Sequence, residues 1–125
     1  MGRRILLADS DPKVQQAVRE VAQKYGHEII LATTAAQVFT LAFESAPHLV
    51  VLDGKFPDAD GRDVLARLKA DSRTARLPVL VWSTRRDADS ERRIALSLGA
   101  EDYVERTDAE ALLVKIERVL LRFKK

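Results

Sequence analysis

Short apolar runs alternate along the chain with stretches whose apolar residues recur at helical spacing. Ile5-Leu6-Leu7-Ala8 reads as a buried strand. Asp11-Pro12 then opens a helix, with the Asp able to cap and the Pro suited to the first helical position. Val14, Val18, Val21 and Ala22 mark its apolar face, and Gly26 its stop. Glu28 to Ala32 has the look of an edge strand. Thr33 or Thr34 caps a second helix carrying Val38, Leu41 and Ala42, and Pro47 breaks it. Leu49-Val50-Val51-Leu52 is a third strand ending at Asp53, followed by a loop from Gly54 to Asp60 with turn residues at Pro57 and Gly61. Val64, Leu65 and Leu68 make a short helix, and Pro78 opens the strand Val79-Leu80-Val81-Trp82. A fourth helix is predicted roughly from Asp87 to Leu98, stopping at Gly99. Tyr103-Val104 is a short fifth strand. Asp108 caps the last helix, on which Leu112, Leu113, Ile116, Val119 and Leu120 share a face.

Five repeats of strand then helix predict an α/β fold. Strands that are apolar throughout are buried on both faces, which puts helices on both sides of a parallel sheet. Right-handed crossovers favour a doubly wound arrangement. At 125 residues the chain is long enough for one domain and too short for two. Residues 1–125 therefore read as a single domain, either a whole protein or a fragment of a longer one.

Composition narrows the chemistry. There is no cysteine, so disulfides, thiolate metal sites and cysteine catalysis are excluded. No apolar run approaches the ~20 residues of a membrane span, and the first apolar run is too short for a secretory signal. A cytoplasmic protein with no membrane partner is expected. The formal net charge is +2, with residues 1–60 net acidic and residues 61–125 net basic. That asymmetry suggests an acidic pocket at one end and a basic docking face elsewhere. It is too mild to imply nucleic acid, and no recognition helix follows the last helix.

In a parallel doubly wound sheet the functional crevice lies outside the carboxyl ends of the strands. Just past the strands stand Asp9-Ser10-Asp11, Asp53, Ser83 with Thr84, and Glu105 with Arg106. Carboxylates, a hydroxyl and a guanidinium on one rim suggest phosphoryl transfer. A carboxylate can attack phosphorus to form an acyl phosphate, while cations offset charge on the phosphoryl oxygens.

Four segments in order and spacing carry a specific resemblance: Arg4 to Pro12, Leu49 to Asp53 with Pro57 and Gly61, Pro78 to Ser83, and Gly99 to Val104. Over essentially its whole length the chain resembles the receiver domain of two-component response regulators. The resemblance implies a CheY-like, flavodoxin-like (βα)5 fold with strand order 2-1-3-4-5. It implies that Asp53 is the phosphoacceptor, Asp9 the first member of the acidic pair, Ser83 the switch hydroxyl and Tyr103 the switch aromatic. Mg²⁺ is implied at Asp9, Asp53 and the backbone carbonyl of Lys55. The implied donor is a sensor histidine kinase or phosphotransfer protein. An output partner or a dimer mate is implied on the face of the fourth helix, fifth strand and fifth helix.

Three positions depart from the family pattern. Ser10 replaces the second carboxylate of the acidic pair, which weakens a site for a hard dication. Asp11 is expected to turn toward the helix start. Arg106 stands where the family has Lys, and its planar fork can clamp Asp53 in a bidentate pair. Thr107 stands where the family has Pro, so a trans peptide and a rival cap to Asp108 are expected there. Two functions follow. The first is a receiver phosphorylated on Asp53, a switch rather than an enzyme. The second is a degenerate pseudo-receiver that binds partners without phosphorylation. Asp9-Ser10-Asp11 also fits the D-x-D pattern of haloacid-dehalogenase-like phosphatases, but that reading leaves Asp53 unexplained. Arg85, Arg86, Arg92 and Arg93 cluster at the fourth helix, either as docking residues or as a solvated face paired with Asp87, Asp89 and Glu91. Arg122, Lys124 and Lys125 form a basic helix end, favourable to the macrodipole.

Overall fold

Each apolar run becomes a strand because its alternate side chains are covered from both sides. The computed structural model describes residues 2–83, 88–106 and 108–123. Strands β1 (Arg4–Ala8), β2 (Glu28–Ala32), β3 (Leu49–Leu52), β4 (Val79–Ser83) and β5 (Asp102–Glu105) alternate with helices. These are α1 (Pro12–Lys24), α2 (Ala35–Glu44), α3 (Gly61–Ala70), α4 (Ala88–Ser97) and α5 (Ala109–Arg122). The strands pair in parallel in the order β2-β1-β3-β4-β5, as the resemblance implies.

Successive side chains on a strand point to opposite faces, so the sheet builds two cores. Leu6, Ala8, Val50, Leu52, Val81 and Tyr103 lie in one with residues of α2, α3 and α4. Ile5, Leu7, Leu49, Val51, Leu80 and Trp82 lie in the other with residues of α1 and α5. Each fully buried branched side chain contributes roughly 1.5–3 kcal/mol relative to exposure. Among the described residues no helix is long and apolar enough to cross a membrane.

Side-chain caps start the helices where the sequence places them. Asp11 accepts from the Lys13 amide at 2.9 Å, with Pro12 in the first turn. Thr34, rather than Thr33, accepts from the Gln37 amide at 3.2 Å. Asp60 caps α3 through the Arg62 amide at 2.9 Å, and Asp108 caps α5 through the Ala111 amide at 2.8 Å. The predicted start of the fourth helix at Asp87 lies outside the described residues, as do Arg85 and Arg86. Gly99, with φ 105°, takes the left-handed turn beyond α4.

Strand register sets the rim. Ala8 pairs with both Ala32 and Leu52, Leu52 with Val81, and Ser83 with Glu105. Residues 9 and 53 therefore leave the adjacent strands β1 and β3 at one level, and Arg106 starts beyond them, just past β5, on the far side of β4. Ser83 and Glu105 are the last residues of their strands instead of lying just past them.

Candidate functional site

The rim is assembled from the inside out by strand ends. Asp9 follows β1 with its amide bonded to the Ala32 carbonyl at 3.0 Å, and Asp53 follows β3 with its amide bonded to Ala8 at 3.0 Å. Arg106 follows β5 and donates its amide to the Ser83 carbonyl at 2.9 Å. These backbone bonds continue the parallel ladders by one rung, so all three side chains start from fixed anchors.

A single guanidinium nitrogen joins them. Arg106 Nη2 lies 2.9 Å from Asp9 Oδ2 and 3.2 Å from Asp53 Oδ1. It also donates to the Trp82 carbonyl at 3.2 Å. The planar group lies over the Trp82 ring, 4.0 Å from the centroid, which adds a cation–π attraction. An NH₂ group has two hydrogens. Here they go to Asp53 and the Trp82 carbonyl, which accounts for Asp9 Oδ2 receiving charge at ion-pair distance without a directed hydrogen bond. The expected bidentate clamp on Asp53 is therefore corrected: one nitrogen is shared between two carboxylates because the Trp82 carbonyl and Asp9 compete for it.

The two carboxylates differ in setting. Asp9 is buried, with Oδ1 accepting from the Asp11 amide at 2.9 Å. Asp53 is part-buried, with Oδ1 accepting from the Gly54 amide at 2.7 Å. Burial pushes the Asp53 carboxyl above its ordinary value, and the Asp9 charge pushes the same way. Arg106 and the amides of Gly54 and Lys55 pull against them without cancelling them. A carboxyl whose pKa is raised on folding favours the native state when protonated. That contribution is present below the unfolded value and lost as pH rises through the folded one. Asp53→Asn is therefore expected to raise Tm by a few degrees at neutral pH. The gain should shrink as pH falls and the wild-type carboxyl protonates, which thermal melts across pH will check.

Ser10 is exposed. Asp11 turns to the start of α1, as expected, where its carboxylate accepts from the Lys13 amide. Lys55 is exposed, with its backbone bridged to Asp60 across the loop. Ser83 is buried at the end of β4, on the side of a small cleft that Gly54, Ala95 and Tyr103 also line. Tyr103 is 2% exposed, with its hydroxyl unpartnered among the described residues. Thr107, and with it the expectations for its peptide and cap, lies outside the described residues.

Two neighbours of the site were not legible beforehand. Gly61 reads in sequence as a turn residue, but a Cβ there would sit 2.4 Å from the Asp53 carbonyl oxygen. Asp58 accepts from the amides of Ala35 and Ala36 at 2.8 and 3.2 Å, tying the loop after Asp53 to the start of α2. The glycine left only an unspecific turn signal, and the Asp58 bond is long-range with no local signal.

The Mg²⁺ implied by the resemblance does not fit this arrangement. The position between the Asp9 and Asp53 carboxylates is taken by the Arg106 nitrogen. No group of three or more His, Asp or Glu that could hold a metal ion occurs among the described residues.

On the α4–β5–α5 face, Asp102 binds Arg92 of α4 at 2.8 Å and Lys115 of α5 at 3.2 Å. Arg122 reaches Glu101 at 3.8 Å. Arg92 thus pairs across elements with β5. Leu96, Val114 and Leu121 are exposed, with Val114 and Leu121 on the stripe of α5 that carries Glu110 and Glu117 toward α1.

The family model described as response regulator receiver domain matches residues 5–117. The transcriptional regulatory protein KdpE of Mycobacterium tuberculosis is 37% identical over 80% of this chain and 42% of its own length. Response regulator MprA of Mycobacterium leprae is 34% identical over 97% of this chain and 52% of its own. Protein PilH of Pseudomonas aeruginosa is 29% identical, covering 94% of this chain and 97% of its own. The chain thus spans about half the length of KdpE and MprA and nearly all of PilH. Among solved structures, the Francisella response regulator 1452 receiver domain superposes with a TM-score of 0.89 at 22% identity, over 98% of this chain and 100% of that one. The BeF3-activated DrrB receiver domain does so with a TM-score of 0.81 at 27% identity, over 98% and 99%.

Proposed function

Because this chain belongs to the response regulator receiver family, we propose that it takes a phosphoryl group on Asp53 from a sensor histidine kinase or phosphotransfer protein and thereby switches a protein-interaction face. Receiver domains are regulatory parts of two-component signalling rather than enzymes. The observation that carries the proposal is the setting of Asp53: a part-buried carboxylate at the end of β3, beside two backbone amides and a fixed guanidinium.

In the transfer, an Asp53 oxygen forms a bond to phosphorus as the P–N bond of phosphohistidine breaks. The electron pair leaves with the imidazole, which takes a proton from solvent. Arg106 and the Gly54 and Lys55 amides offset the charge on the phosphoryl oxygens. Receiver domains generally bind Mg²⁺ in this pocket, but no step here is routed through it. Ser83 and Tyr103, which flank the cleft beside Asp53, then act as the switch pair. The new charge biases them between two arrangements and so biases the α4–β5–α5 face. The ion pairs through Asp102 and the exposed Leu96 suit that face to an output partner or a second copy.

A second reading keeps the chain as a phosphorylation-independent binding module. Arg106, already shared between both acids, is the feature that motivates it. One experiment separates the two. The chain is incubated with saturating small phosphodonor, in parallel with Mg²⁺ and with chelator, and the intact mass is measured. Gain of one phosphoryl group in either condition, absent in Asp53→Asn, supports the switch. No Asp53-dependent gain in both conditions favours the binding module.

A further inference from the structure

We propose that Arg106 is the resident cation of this acidic site, neutralising Asp9 and Asp53 in place of a divalent metal, so that the site neither needs Mg²⁺ nor binds it tightly. The inference does not rest on phosphoryl transfer. A chain that never takes a phosphoryl group can still pass or fail its test.

Arg106 Nη2 lies within ion-pair distance of both side-chain carboxylates that a metal would use, at 2.9 and 3.2 Å. A dication at those oxygens and the guanidinium cannot share that space, and their like charges repel.

The guanidinium is also held there from sides that do not involve the acids. The Arg106 amide is tied to Ser83, Nη2 donates to the Trp82 carbonyl, and the plane stacks on the Trp82 ring. Displacing it breaks the Trp82 contacts as well as the two ion pairs. The cation is therefore built into the end of β5.

Ser10 is neutral and exposed, and Asp11 is committed to the α1 cap at 2.9 Å from the Lys13 amide. Two carboxylates already sharing one positive charge leave a net charge of about −1. Mg²⁺ gives up its hydration reluctantly and normally needs carboxylates that are not already compensated.

Two substitutions separate Arg106 from Ser10 as the cause. Ser10→Asp restores a carboxylate at an exposed position and leaves Arg106 in place. Arg106→Gln removes the cation. Mn²⁺ and Mg²⁺ titrations by calorimetry, and Tm in Mg²⁺ against chelator, are read on the wild type, each single variant and the double variant. Tm rises only when a ligand binds the native state. The wild type is expected to show no metal-dependent rise in Tm. Ser10→Asp should stay within about tenfold of wild-type affinity. Arg106→Gln and the double variant should each bind at least about tenfold tighter than the matching chain that keeps Arg106, a difference of roughly 1.4 kcal/mol.

A wild-type Tm that climbs with Mg²⁺ overturns the proposal. So does a Ser10→Asp chain that binds as tightly as the double variant, because Ser10 alone would then be the cause. If Arg106→Gln is unfolded in chelator, recovery of its fold on adding Mg²⁺ supports the exchange of one cation for another. Without recovery, the wild-type and Ser10→Asp results decide.

Discussion

Arg106→Ala is expected to destabilise the fold by about 2–4 kcal/mol at neutral pH, a penalty that Asp53→Asn relieves in part. The cause is electrostatic. Asp9 is 3% exposed at its side chain and Asp53 is 20% exposed, and both lose their shared counter-charge in the variant. Stripping one member from a buried ion cluster leaves an uncompensated charge, which costs more than the intact pair contributes. The upper end of the usual range is not reached because Asp53 keeps some solvent. Loss of the guanidinium also removes one of the influences holding the Asp53 carboxyl down, so that carboxyl rises further. The penalty should be full above that raised value and shrink as pH falls through it. Urea midpoints of wild type, both single variants and the double variant at several pH values will measure it. A coupling energy near zero between Arg106 and Asp53 would refute the shared-charge account.

Gly61→Ala is the second large effect, and its cause is steric. A Cβ at this position would stand 2.4 Å from the Asp53 carbonyl oxygen and 2.9 Å from Gly54 backbone atoms. All of these are main-chain atoms, so no flexible side chain can move aside. The close approach is enforced because the Gly61 amide donates to the Gly54 carbonyl at 3.0 Å, closing the loop between β3 and α3 at its base. Overpacking of this kind costs about 1–3 kcal/mol. The shift also moves the backbone that carries the Asp53 carboxylate, the proposed acceptor. Phosphoryl incorporation is therefore expected to slow by at least about tenfold, since small misplacements of reacting groups are costly. Denaturation midpoints and labelling rates test the two parts separately. An unchanged midpoint with normal labelling would show that the loop relaxes without cost.

Much of this architecture is written in local chemistry. The apolar runs of β1, β3 and β4 could be buried only between helix layers, and the order of elements then led to the rim. Asp11, Thr34 and Asp108 were legible as caps because a short polar side chain before an apolar period has few other uses. The sharing of Arg106 was not legible. It depends on Trp82 presenting both its ring and its carbonyl to the same guanidinium, across a strand boundary that no sequence period records. The same reason explains why a two-pronged grip on Asp53 was expected and a one-nitrogen bridge is found. Gly61 was visible as a glycine, but the backbone it must admit becomes apparent only once β3 and α3 are packed together.

The stacking of Arg106 on Trp82 has a further consequence. The chain contains one tryptophan, it is almost fully buried, and a cation rests on its ring 4.0 Å from the centroid. An excited indole is sensitive to charge held against its face. Any event that shifts the guanidinium changes that environment directly. The protein therefore carries its own optical probe, with no label to attach and no second indole to subtract.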